Sequence, residues 1–146
     1  LRYGADVAIF VLGASVEPAR KATERLTAEG IEATVVNVRF AKPLDTSLIK
    51  ELAGSIKRIV TVEENVLSGG FGSAVLNFLQ NEGISDIKVK NIGVPDQFIE
   101  HGAQEILRKK YGLDEEGIFN SVLELFPEHQ SGGKGKIPDK AKASRA

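Results

Sequence analysis

Two adjacent carboxylates, Glu63 and Glu64, close the apolar stretch Ile59-Val60-Thr61-Val62, and Gly69-Gly70-Phe71-Gly72 follows shortly after. Paired carboxylates can divide acid and base roles when their surroundings push their pKa values apart. Adjacent strand residues point to opposite faces of a sheet, however, so these two do not work as a pair. Glu64 remains a candidate for chemistry, and a competing structural reading has one of the two bonding the glycine-rich turn. That turn opens a helix by its pattern. Free N–H groups and the helix dipole favour an anion at such a place, which makes Gly69, Gly70 and Gly72 anion-binding or interface candidates. The competing reading is close approach of backbone to a neighbour. The segment has neither a GxGxxG pattern nor a P-loop lysine.

His101 is the other candidate, as a general base in Glu100-His101-Gly102; its nearest local partner is Asp96. His129 lies near the C-terminus and is read as inert. Arg39 and Lys42 flank a proline-containing loop, where they either touch phosphate or remain solvated. The chain has no cysteine and two histidines far apart. A disulfide framework, a thiolate metal site and a histidine-rich metal site are therefore not expected.

The elements that must position these residues alternate. Val7-Ala8-Ile9-Phe10-Val11-Leu12 is a continuous apolar run, as in a strand buried on both faces. Ser15 can cap a helix with Val16, Ala19, Ala22 and Leu26 on one face, stopped at Gly30. Residues 31–38 read as a second strand. Asp45 caps a short helix bearing Leu48, Ile49 and Leu52. A third strand carries Ile59, Val60 and Val62, and a helix bearing Phe71, Val75, Phe78 and Leu79 ends at Gly83. Residues 87–92 form a fourth strand; helices follow over 103–111 and from an Asp114 cap through Ile118, Val122 and Leu125. The pattern predicts a three-layer α/β/α domain with a mostly parallel sheet of four to five strands. Loops at the carboxyl ends of its strands are the functional edge.

The 146 residues suit one domain. From Ser131 onward there are five basic residues and one acidic, against 14 basic and 19 acidic before it. An acidic body argues against a nucleic-acid face. No apolar run is long enough to span a bilayer. Composition divides the chain into a domain over 1–127 and a disordered basic tail over 128–146.

Several stretches, in order, resemble the C-terminal domain of the 1-deoxy-D-xylulose-5-phosphate synthases. They are Val36-Asn37-Val38-Arg39-Phe40-Ala41-Lys42-Pro43-Leu44-Asp45, then Val60-Thr61-Val62-Glu63-Glu64-Asn65 with Gly69-Gly70-Phe71-Gly72-Ser73-Ala74-Val75. Ile92-Gly93-Val94-Pro95-Asp96-Gln97-Phe98-Ile99-Glu100-His101-Gly102 and Gly112-Leu113-Asp114 with Gly117-Ile118 complete the set. These enzymes belong to the transketolase-like thiamine diphosphate enzymes. The resemblance implies a homodimer that condenses pyruvate with glyceraldehyde 3-phosphate, losing carbon dioxide, with thiamine diphosphate and Mg²⁺ held by the other domains. It implies a cytoplasmic enzyme, or a plastid one in a eukaryote.

The Gly-Asp-Gly of the family's diphosphate signature is absent from this sequence. The resemblance therefore assigns this chain no cofactor, no metal and no catalytic residue, and makes it a supporting domain that is inactive alone. Leu1-Arg2-Tyr3 is expected to end a first, antiparallel strand of a longer protein. Two other readings stay open: a module binding a phosphorylated small molecule at 69–72, and an interaction domain, of another thiamine diphosphate enzyme or with a basic tail that meets an acidic partner.

Overall fold

The computed structural model describes residues 4–67, 69–95 and 104–129, except for the side chains of Asn65, Val66 and Gln104. Four strands, β1 (Val7–Leu12), β2 (Ala33–Val38), β3 (Arg58–Val66) and β4 (Lys88–Val94), form a parallel sheet in the order β2-β1-β3-β4. Helices α1 (Val16–Ala28), α2 (Thr46–Ser55), α3 (Phe71–Asn81), α4 (Gln104–Lys110) and α5 (Glu115–Leu123) complete the elements. The α/β/α expectation holds. The expected antiparallel strand falls on residues 1–3, outside the described part.

The apolar run of β1 follows from its central position. Val7, Ile9 and Val11 pack with Ala19, Ala22 and Leu26 of α1 and with Ile118 and Val122 of α5. Ala8 and Phe10 face the other way, toward Ile49 and Ala53 of α2 and Val75 and Leu79 of α3. With both faces covered, no position in the strand can be polar without an unpaired group in the core. The edge strand β4 escapes this demand: Lys88 is exposed, and Lys90 reaches Glu124 at 2.5 Å.

Helix ends follow local chemistry. Asp45 Oδ1 accepts from Leu48 N–H at 3.1 Å, and Asp114 Oδ1 from Gly117 N–H at 2.9 Å, the two acidic caps read from sequence. Ser15 occupies the cap position of α1, yet its side chain makes no capping bond; it is fully buried, and its hydroxyl has no partner among the described residues. α4 ends where Gly112 turns left-handed, φ +75°. A Cβ on Gly117 would lie 2.3 Å from Gly112 Cα, so this spaced glycine pair lets α5 start directly against the end of α4.

The expected boundary at residue 127 falls within a short helical turn, and the expected tail from residue 130 onward lies outside the described residues. Residues 127–129 form a final helical turn, and the His129 ring meets Phe126 edge-on at 5.8 Å. Phe126 is buried and lies under the Arg58 guanidinium at 4.1 Å. His129 thus packs on the domain through Phe126.

Candidate functional site

β1 connects to β2 on one side, and the chain then crosses to β3 on the other, so the carboxyl ends of β1 and β3 mark the switch point of the sheet. Gly13, Ser15, Glu63 and Glu64 stand there. Strand alternation separates the two glutamates as the spacing predicts. Glu63 is fully buried and turns toward α3. Its Oε1 accepts from Phe71 N–H at 2.8 Å and its Oε2 from Gly72 N–H at 2.7 Å. Glu64 turns to the opposite side and pairs with Arg108 Nε of α4 at 2.7 Å, both side chains less than a third exposed.

The anion reading of Gly69, Gly70 and Gly72 meets a competing occupant at this helix start. The N–H groups that would cradle a phosphate at the start of α3 hold the chain's own carboxylate, which takes the place an anion has at such helix starts. The turn before it is closed from inside as well: Gly70 N–H donates to Leu67 O at 3.2 Å, and Ser73 Oγ donates to the same carbonyl at 2.7 Å. Gly69 is left-handed, φ +74°, whereas Gly70 is extended and asks for no glycine. Gly72 is the residue that meets the close-packing reading. A Cβ there would lie 2.6 Å from Asn91 Cγ and 2.7 Å from Thr61 Oγ1, side chains themselves joined by a 2.6 Å hydrogen bond from the Thr61 hydroxyl to Asn91 Oδ1.

His101 and its neighbour Asp96 lie outside the described residues. Among the described residues no group of three or more His, Asp or Glu could hold a metal ion, and no helix is long and apolar enough to cross a membrane. Arg39 and Lys42 form no ion pair there. Arg39 lines a cavity of about 440 Å³ with Phe10, Val36, Phe40, Leu48 and Phe71, and Lys42 lines one of about 500 Å³ with Gly70, Ser73 and Asn77. Sequence reasoning passed over Phe40, which is 70% exposed; its only signal was an aromatic between two basic residues at a strand end.

The site is thus a scaffold edge whose two glutamates are satisfied internally, and known proteins give it a context. The family model described as "Transketolase, C-terminal domain" matches residues 1–118. The chain belongs to the transketolase C-terminal domain family. Over 118 residues it is 53% identical to 1-deoxy-D-xylulose-5-phosphate synthase 1 of Geobacter metallireducens, covering 81% of this chain and 19% of the relative. The same identity holds over 123 residues of the 1-deoxy-D-xylulose-5-phosphate synthase of Dehalococcoides mccartyi, covering 84% of this chain and 19% of the relative. A solved structure titled split gene transketolase, inactive beta4 tetramer, superposes with a TM-score of 0.77 at 38% identity, covering 84% of this chain and 40% of that one. This transketolase C-terminal domain therefore spans about a fifth of the length of the curated relatives it matches.

Proposed function

We propose that the chain is the C-terminal domain of a thiamine diphosphate-dependent 1-deoxy-D-xylulose-5-phosphate synthase, a transketolase-family transferase joining pyruvate to glyceraldehyde 3-phosphate with loss of carbon dioxide. Identity at about half of the matched residues to synthases in which the matched part is one fifth of the length carries this reading. Within the enzyme the domain is architectural, supporting the other domains and a second subunit of a homodimer, in the cytoplasm or in a plastid.

The residues present do not fit thiamine diphosphate. The glycine-rich helix start is the natural diphosphate cradle of such a fold, and Glu63 fills it with negative charge. A diphosphate brought there would meet a fixed carboxylate instead of free donors. In this reading the cofactor and Mg²⁺ are held by the rest of the enzyme, and no step of the reaction runs through this chain. The same carboxylate weakens the alternative of a phosphate-binding module.

Calorimetric titration of thiamine diphosphate and Mg²⁺ into the 146-residue chain tests the assignment. Binding no tighter than millimolar is expected, with synthesis of 1-deoxy-D-xylulose 5-phosphate only by the intact protein. Micromolar binding, about −8 kcal/mol, would overturn it.

A further inference from the structure

Segment 39–45, between β2 and α2, brings three features together at the strand-end edge. Phe40 is 70% exposed. Arg39 and Lys42 lack ion-pair partners among the described residues, and Asp45 is occupied in capping α2. The two cavities of about 440 and 500 Å³ lie against this segment, the first walled mainly by apolar side chains such as Phe10, Val36, Leu48 and Phe71. Aromatic and arginine side chains anchor protein interfaces when a pocket lies beside them. An aromatic ring left in water at an apolar cavity marks surface that a partner covers. Leu76, 43% exposed, also borders a cavity, but no charged side chain lines that one.

The charge pattern and the length of chain outside the structure select the occupant. Residues 1–130 carry 14 basic and 19 acidic side chains, so two unpaired cations form a spot of opposite sign on an acidic body. Such a spot attracts carboxylates that flank an apolar anchor. The relatives place this chain within a polypeptide about five times longer, whose other parts must meet the domain somewhere. We propose that segment 39–45 is the face on which the domain docks the remainder of its own enzyme, an apolar side chain of that remainder entering the cavity beside Phe40 while flanking carboxylates meet Arg39 and Lys42. The proposal rests on the reading of the chain as one domain of a longer synthase.

Hydrogen exchange followed by mass spectrometry across residues 36–45, in the intact protein and in the 146-residue chain, tests it. Exchange is expected to be at least tenfold slower in the intact protein, and Phe40→Asp or the pair Arg39→Glu and Lys42→Glu should abolish the difference. Because Phe40 is exposed, Phe40→Asp should leave the melting temperature of the 146-residue chain unchanged, which separates lost docking from lost folding. Equal exchange in the two proteins overturns the proposal. So does protection of the 146-residue chain by self-association in light scattering, or by added inorganic pyrophosphate. An intact protein that is protected here but makes no 1-deoxy-D-xylulose 5-phosphate removes the activity reading and leaves the docking face. One that makes the product without protection removes the docking face alone.

Discussion

Oε1 of Glu63 accepts the N–H of Phe71 at 2.8 Å across the switch point of the sheet, and Oε2 takes the next N–H, that of Gly72, at 2.7 Å. One buried side chain thereby satisfies two of the donors that every helix start leaves open and ties the end of β3 to the beginning of α3. Hydrogen bonds to a charged group contribute about 1.5–3 kcal/mol each. Glu63→Gln keeps the shape but turns an amide NH₂ toward one of the N–H groups. It should cost about 2–3 kcal/mol in urea unfolding, and Glu63→Ala more, with two donors orphaned. A Gln variant with the midpoint of the parent would remove the carboxylate from this role.

Gly72 should tolerate no side chain. The added Cβ of Gly72→Ala would press on Asn91 and Thr61, whose mutual hydrogen bond holds β4 to β3 under α3. Overpacking of this kind costs about 1–3 kcal/mol. Gly70→Ser, at an extended N-cap position where serine is favoured, should be neutral within about 0.5 kcal/mol. Equal losses for the two variants in thermal melts would show that the contact at Gly72 relaxes freely.

The strands were legible because burial on both faces leaves a continuous apolar run: β1 was readable to the residue, and β3 was read from Ile59, Val60 and Val62. Asp45 and Asp114 were readable because caps are local. Glu63 was legible only in part. Alternation told that Glu63 and Glu64 part ways, but which of them reaches the glycine turn depends on which face of β3 carries α3, a tertiary fact. The same holds for Arg108, which meets Glu64 across 44 positions of chain. Ser15 misled because a serine before a helix suits a cap by type, while here the fully buried hydroxyl makes no capping bond and has no partner among the described residues.

The Glu64–Arg108 pair holds α4 to the end of β3, and its measure is a double-mutant cycle. Both side chains are partly exposed, so solvent screens the attraction, and a coupling of about 0.5–1 kcal/mol is expected for Glu64→Gln with Arg108→Gln. Additive effects of the two substitutions would mean that the pair contributes nothing beyond its packing.

Arg25 links α1 to α5, stacking on the Phe119 ring at 4.0 Å and reaching Glu116 at 2.7 Å. The bond to Arg25 holds the Glu116 carboxyl below its ordinary value of 4.5, with Asn120 adding to the effect. A carboxyl depressed by folding lends stability above its unfolded pKa and loses it as pH falls through the folded one. Glu116→Gln should therefore flatten the stability profile below about pH 4.5, and the difference should fade in 1 M salt because the carboxylate faces water. A profile as steep as that of the parent would place the acid sensitivity elsewhere.

The end of the folded domain can be located by truncation. Phe126 is 3% exposed; Arg58 stacks on its ring and donates from Nε to Leu125 O at 2.8 Å, and His129 N–H donates to Phe126 O at 3.0 Å. Removing residues 131–146, a Gly-, Ser- and Lys-rich stretch, should change stability by less than about 0.5 kcal/mol, since it offers almost no apolar surface to bury. Removing everything after Leu125 deletes the ring that seats Arg58, and it should cost about 3–5 kcal/mol, the scale of a buried phenylalanine. Chains ending at 130 and at 125, compared by urea unfolding, separate the two cases. A large loss already at 130 would extend the folded domain into the basic stretch, and equal midpoints would mean that Phe126 is dispensable to the core.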